Sequence, residues 1–224
     1  MIEQLLELDK FLLLFINGFH ADYWDSFFWL FTQKETWIPL YIGILYLIIK
    51  TKKTEATWII VGLLLMFFLA DQASSSILKP LVARLRPSHE PSLEGFVHLV
   101  NEYKGGRFGF VSSHAANSFG LALFTSILFR KKKYSFAIFL WAGINAYSRM
   151  YLGVHYPADI IGGIIIGFFA VWPSILLLKR FQPVVFKRNI YRNYSTIHFW
   201  NTEKLLLWIL LISFVLLFIA AFFI

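Results

Sequence analysis

Long apolar segments constrain the fold of this chain more than any other feature. A helix that crosses a lipid bilayer needs about 20 mostly apolar residues. Six segments reach or approach that length: Trp37–Ile49, Ala56–Leu78, Phe110–Phe129, Tyr134–Tyr151, Ala158–Leu178 and Leu205–Ile224. The first is the shortest, and an extension back toward Phe27 would lengthen it. The pattern predicts an all-α protein, a polytopic transmembrane helical bundle with six spanning helices.

The N-terminal 20 residues contain a shorter apolar patch, Phe11–Ile16, which ends at Asn17-Gly18. Because this patch is too short to span a bilayer, we predict an N-terminal helix that lies in the membrane interface. The alternative is a seventh spanning helix.

The composition agrees with a membrane location and excludes a nucleic-acid partner. Charged residues make up 15% of the chain, against about 25% in soluble domains. The net charge is +8, but the basic residues cluster at the ends of apolar segments, where they determine topology. We therefore expect the lipid bilayer, and no nucleic acid, as partner. The chain has no cysteine, which excludes disulfides and thiolate metal sites.

Basic residues between the predicted helices indicate the orientation of the bundle. They concentrate at Lys50–Lys53, Arg130–Lys133 and Lys179–Lys204. With six spans these three connections share one side, which the positive-inside rule makes cytoplasmic. Residues 79–109 and 149–157 then face the opposite side. We predict a multi-pass protein of the inner or plasma membrane, with these two connections facing the periplasm or exterior.

Three polar clusters lie at that outer face, and the first runs from Lys79 to Pro87. On a helix, Lys79 and Arg86 would share one face, because seven residues nearly complete two turns, and Arg84 would point away. Pro80 distorts the stretch, so this geometry is approximate. Arginine binds phosphate through two parallel hydrogen bonds, and lysine acts as a point charge. The alternative is that these are interfacial cations whose stems cover apolar surface.

The second cluster, Ser112-Ser113-His114, opens the third predicted span. Unpaired backbone N–H groups at a helix start attract anions. Either serine can instead cap the helix. A histidine just inside a membrane span is costly unless it has a partner or a function, so His114 is the more informative residue.

The third cluster contains Arg149, His155 and Asp159. Pro157 suits the first turn of a helix, which places His155 just before that helix and Asp159 in its first turn. The carboxylate can then reach one imidazole nitrogen and leave the other as a nucleophile. The alternative is that Asp159 only favours the helix start electrostatically and His155 is a loop residue.

In this order the clusters resemble the type 2 phosphatidic acid phosphatase superfamily, integral-membrane lipid phosphate phosphatases related to vanadium haloperoxidases. The family motif K-x6-R-P is matched by Lys79 through Arg86-Pro87. The motif P-S-G-H is matched in part, since Val111 replaces the proline and Ser113 the glycine that allows close backbone approach. The motif S-R-x5-H-x3-D is matched in full by Ser148, Arg149, His155 and Asp159.

The resemblance implies a role for each matched residue. Phosphate oxygens would be bound by Lys79, Arg86, Ser112, Ser113 and Arg149. His155 would attack phosphorus to form a phosphohistidine, Asp159 would orient it, and His114 would protonate the leaving oxygen. Water would then hydrolyse the intermediate. No metal and no cofactor is required.

These expectations describe a hydrolase that removes phosphate from a membrane lipid at the outer face. One domain, 1–224, would contain a catalytic core at about 56–178 and an additional C-terminal span at about 205–224. Undecaprenyl diphosphate and a phosphorylated lipid A are the favoured substrates of a bacterial enzyme, with phosphatidylglycerol phosphate and phosphatidic acid open. A phosphotransferase with another acceptor and a non-enzymatic lipid or anion transporter are the alternatives. A transporter has no need of an oriented imidazole.

Overall fold

A computed structural model describes residues 2–186 and 196–224. These residues form an all-α bundle, as predicted, and in the described ranges one isolated antiparallel bridge joins Leu85 to Phe108. The helices are α1 Ile2–Asn17, α2 Asp22–Thr32, α3 Ile38–Lys52, α4 Ala56–Asp71, α5 Lys79–Val82, α6 Ser113–Phe129, α7 Lys132–Tyr151, α8 Pro157–Phe181 and α9 Thr196–Ala220. Three basic residues of the third predicted cytoplasmic connection, Lys187, Arg188 and Arg192, lie outside the described residues.

Two helices in the described part of the chain are long and apolar enough to cross a membrane. They are Ala56–Val82, in which a π-helical segment joins α4 to α5, and Pro157–Phe181. In each helix, only 33% of the most apolar stretch of 18 residues is buried. A core helix of a soluble protein would be mostly buried, and these two helices are mostly exposed. Among the described helices Lys204–Ala220 is apolar but shorter.

The first predicted span differs from the structure at its N-terminal side. It does not extend back toward Phe27, because α2 ends at Thr32 and a separate 3-10 turn, Glu35–Trp37, precedes α3. Phe31 and Trp37 at this break are fully buried and pack edge-to-face against each other. Buried aromatic packing therefore holds the bend between α2 and α3.

Four helices, α4, α6, α7 and α8, form the centre of the bundle, and α6 packs most extensively on α8. Glycines on α8 make this approach possible: a Cβ on Gly167 would overlap the carbonyl oxygen of Ala116 on α6. The N-terminal ends of the two helices consequently lie side by side. The backbone N–H of Ser112 donates to the Asp159 carbonyl over 2.9 Å.

The N-terminal helix α1 packs against α7 and α8. Leu13 is fully buried there, whereas Leu5, Phe11 and Phe15 are exposed. At its end, the Asn17 side chain donates to the carbonyls of His98 and Tyr151. The helix is thus attached to the connection 79–109 and to α7. Its location in the membrane interface stays a prediction.

Candidate active site

The first polar cluster reaches the site by a different backbone path from the predicted one. The helix that carries Lys79 ends at Val82, because Ala83 adopts a left-handed conformation with φ 49°. Arg86 therefore lies beyond the helix, where its N–H donates to the Arg107 carbonyl over 3.0 Å. The expectation that Lys79 and Arg86 share a helix face is wrong.

His155 lies at the centre of the site, 1% exposed, in the short connection before α8. Its Nδ1 is 3.2 Å from Asp159 Oδ2, and its Nε2 is 2.9 Å from an Arg86 nitrogen. A guanidinium can only donate hydrogen bonds, so Nε2 of His155 is the acceptor. Nδ1 therefore carries the proton and donates a hydrogen bond to Asp159. This is the tautomer expected of a nucleophilic Nε2.

The surroundings of His155 favour the neutral imidazole. Burial, followed by the positive charges of Arg86, Arg149 and Lys79, holds the pKa of His155 well below the ordinary 6.5. Burial and then Arg149 lower the pKa of Arg86 to about 10, which leaves it charged at neutral pH. A cation therefore faces a neutral, electron-pair-bearing nitrogen.

Two arginines next to His155 are buried and incompletely satisfied. Arg86 also donates to the Val154 carbonyl over 3.0 Å, and Arg149 donates to Thr32 Oγ1 over 2.9 Å. The Nε atoms of both arginines are buried and have no hydrogen-bond partner among the described residues. Buried donors of this kind normally have acceptors, so the pair is suited to bind an oxyanion.

Ser113 has a contact that the sequence did not predict. Its hydroxyl accepts from Lys79 Nζ at 2.5 Å and also contacts the hydroxyls of Ser74 and Ser75, at 3.0 and 2.9 Å. Both serines lie on the π-helical turn, Gln72–Leu78, a feature frequent at functional sites. The residue that stands where the family has glycine thus holds Lys79 in place.

Ser112 and His114, on either side of Ser113, have different environments. Ser112 is buried and is the N-cap of α6, with its hydroxyl accepting from the Ala115 N–H over 3.4 Å. His114 is exposed and lines a cavity of about 570 Å³. The remaining walls are largely apolar and come from α3, α4, α6 and α7, for example Ile44, Leu63, Phe67, Leu121 and Trp141.

The eight predicted site residues lie close together in the structure. Both histidines lie within electrostatic range of Lys79, Arg86 and Arg149. Asp159 contacts His155 and Ser112, and Ser113 contacts Lys79. Lys79 lies within electrostatic range of Arg86, Arg149 and Asp159. Of the described residues, none forms a cluster of three or more histidine, cysteine, aspartate or glutamate side chains that could hold a metal ion.

The sequence analysis did not identify three residues that support the site, namely Arg84, Asp9 and Thr32. Arg84, expected to point away, lies 3.3 Å from Asp159 Oδ1 and pairs with Asp9 at 2.7 Å. Thr32, on α2, accepts from Arg149. One feature of the sequence could have indicated this arrangement: Asp9 is a carboxylate in a mostly apolar N-terminal segment.

The sequence pattern of the PAP2 superfamily matches residues 55–183. The chain belongs to the PAP2 superfamily. It is a phosphatase of the PAP2 type.

Three relatives of this chain have names that describe phosphatases. A lipid A 4'-phosphatase of Bacteroides thetaiotaomicron is 49% identical over 174 residues, which cover 77% of each chain. A lipid A 4'-phosphatase of Porphyromonas gingivalis is 42% identical over 167 residues, covering 74% of this chain and 71% of the relative. Phosphatidylglycerophosphatase B of Bacillus subtilis is 31% identical over 135 residues, covering 54% and 60%.

The fold also resembles a solved structure. The crystal structure of Aquifex aeolicus LpxE matches with a TM-score of 0.56 and 27% sequence identity. The match covers 76% of this chain and 94% of that one.

Proposed function

We propose that this PAP2 protein hydrolyses a phosphate ester of lipid A through a phosphohistidine at His155. The observation that carries the proposal is the arrangement of His155 between Asp159 and Arg86, described above. An orienting carboxylate on one nitrogen and an anion-binding cation at the other are what an imidazole nucleophile for phosphorus requires.

In the first half-reaction Lys79, Arg86 and Arg149 bind the phosphate oxygens, and Arg86 exchanges its contact with His155 for one with the phosphate. His155 Nε2 then forms a bond to phosphorus as the bond from phosphorus to the lipid oxygen breaks. His114, positively charged in the complex with phosphate, gives one proton to that oxygen and becomes neutral. The cations neutralise the charge that spreads over the transferring phosphoryl group.

In the second half-reaction His114, now neutral, takes a proton from water, and the water oxygen bonds to phosphorus. The bond from phosphorus to Nε2 breaks and inorganic phosphate leaves. Asp159 accepts the hydrogen bond from the Nδ1–H group throughout, stays ionised, and stabilises the positive charge on the phosphorylated ring. Both histidines return to their initial states.

The substrate class is supported by two independent observations. The two relatives of highest quoted identity are lipid A 4'-phosphatases. The apolar cavity beside His114 extends between helices and can accommodate an acyl chain of a lipid whose phosphate lies at His155. Undecaprenyl diphosphate would place an isoprenoid chain there and is the second candidate.

The membrane arrangement completes the proposal. Six spanning helices in the inner membrane, with the basic connections in the cytoplasm, would direct His155 toward the periplasm. The two strongly apolar helices and their exposed surfaces support this arrangement.

Purified protein tested on a panel of lipid phosphates distinguishes the candidates. We expect phosphate release from lipid A in detergent micelles, faster than from undecaprenyl diphosphate or phosphatidic acid, and unchanged by a chelator. His155→Ala should abolish release and retain lipid binding. Phosphate release that persists in this variant would refute the phosphohistidine route. If the wild type transferred phosphate to an added lipid without producing free phosphate, the protein would be a phosphotransferase.

A further inference from the structure

Asp9 is a buried carboxylate on α1, outside the residues that match the family. Its exposed fraction is 6%, and the family match begins only at residue 55. A buried carboxylate needs compensating partners, and Asp9 has two. Oδ2 accepts from Arg84 over 2.7 Å, and Oδ1 accepts from the Ala158 N–H in the first turn of α8 over 2.8 Å.

Arg84 connects Asp9 to the proposed active site. One terminal nitrogen contacts Asp9 and the other lies 3.3 Å from Asp159 Oδ1. Its guanidinium also stacks on the buried ring of Tyr156, 3.9 Å from the ring centroid. Two carboxylates and one aromatic face therefore fix the plane of this cation.

Asp159 uses its two oxygens for different partners. Oδ2 accepts hydrogen bonds from His155 Nδ1 over 3.2 Å and from the backbone N–H of Tyr156 over 3.0 Å. Oδ1 contacts Arg84. Rotation of the carboxylate about its own axis is opposed at both ends, so the position of Arg84 determines how well Oδ2 aligns with His155.

We infer that Asp9 is a positioning residue for the phosphatase reaction: through Arg84 it holds Asp159, and so His155, in the orientation required for attack on phosphorus. The inference rests on the proposed role of His155. It makes α1 part of the catalytic apparatus of this chain, although Asp9 contacts neither phosphate nor the reacting nitrogen.

The test compares four variants, Asp9→Asn, Asp9→Glu, Arg84→Gln and the double variant Asp9→Asn/Arg84→Gln, with Glu7→Gln as the control. Glu7 lies on the same helix, is exposed, and pairs only with Lys10 at 3.1 Å among the contacts of the described residues. Hydrolysis of p-nitrophenyl phosphate and of lipid A is measured per folded protein, quantified by size-exclusion chromatography.

Asp9→Asn should lower kcat by about 10-fold, the lower end of the loss that follows when a group supporting a metal-ligating histidine is removed, with KM within about 2-fold. Asp9→Glu should restore part of the loss. Because Asp9 acts through Arg84, the double variant should be no slower than Arg84→Gln alone. Glu7→Gln should equal the wild type.

Three results would overturn the inference. They are a loss that disappears after normalisation to folded protein, a change confined to KM, and additive losses in the double variant. If the wild type hydrolyses p-nitrophenyl phosphate but not lipid A, the proposed substrate fails while the positioning role is still measured with the soluble probe. If the wild type hydrolyses neither, both proposals fail.

Discussion

At the scale of single residues, the contact between Arg86 and His155 Nε2 governs how the reaction begins. The nitrogen proposed to attack phosphorus is occupied by a cation in the described structure. A phosphate that binds Arg86 removes this contact and exposes the electron pair at the same moment. Substrate binding and activation of the nucleophile are thereby coupled.

Replacing Asp159 with asparagine tests the assignment of the tautomer. The amide would present an N–H to His155 Nδ1, favour the opposite tautomer, and protonate the attacking nitrogen. We expect kcat to fall by about 10³- to 10⁴-fold, as in a triad whose orienting carboxylate is lost. Steady-state kinetics measures this, with Asp22→Asn, an exposed position on α2, as the matched control. Activity within about 10-fold of wild type would contradict the assigned tautomer.

The pH dependence of the reaction follows from the lowered pKa of His155. A lowered pKa keeps the imidazole unprotonated as the pH falls through 6.5. Attack by His155 should therefore persist below that pH and be lost only in more acidic solution. A pH profile of kcat/KM checks this. An acidic limb at or above pH 6.5 that stays in place in an Arg86→Gln variant would show that His155 titrates normally.

At the scale of elements, the serine-rich π-helical turn and the start of α6 act together on Lys79. Ser113→Gly would introduce the residue of the family motif and remove the hydroxyl that contacts Lys79. A lost hydrogen bond of this kind is worth about 1 kcal/mol, so we expect KM to rise about 5-fold with little change in kcat. Michaelis–Menten analysis of phosphate release measures both. Ser76→Gly, an exposed position on the same turn, is the control. An unchanged KM would mean that Lys79 needs no anchor.

Contact between α6 and α8 should limit the stability of the bundle. Gly167→Val would force a side chain against the Ala116 carbonyl, and overpacking of this kind costs about 1–3 kcal/mol. We expect a lower melting temperature in detergent. Gly143→Ala is the matched control, because a Cβ there meets nothing within 4 Å. Equal melting temperatures for the two variants would contradict the close approach.

The sequence was sufficient to predict helices where apolar length dominates. The predicted segment Tyr134–Tyr151 corresponds to α7, Lys132–Tyr151, and the predicted Ala158–Leu178 to α8, Pro157–Phe181. It was insufficient after Lys79, because the helix end depends on the left-handed Ala83, a conformation that alanine rarely adopts. Tertiary contacts, not local preference, select such a position.

At the scale of the whole molecule, the order of the motifs along the sequence was enough to predict that the eight site residues lie close together. The contacts that support these residues could not be predicted in this way. Asp9 and Arg84 are separated by 75 residues along the chain. Nothing in the local sequence of either indicates the other, since their pairing depends on α1 packing against α7 and α8. Long-range contacts of this kind require coordinates.

The different exposure of the two histidines has a consequence for the order of events. His114 opens onto the large cavity, whereas His155 is sealed behind Arg86 and Asp159. The dephosphorylated lipid, held in that cavity, would block the approach of solvent to the phosphorylated ring. The dephosphorylated lipid must then leave the cavity before water can reach the phosphohistidine. An alcohol that enters the emptied cavity ahead of water would receive the phosphoryl group instead.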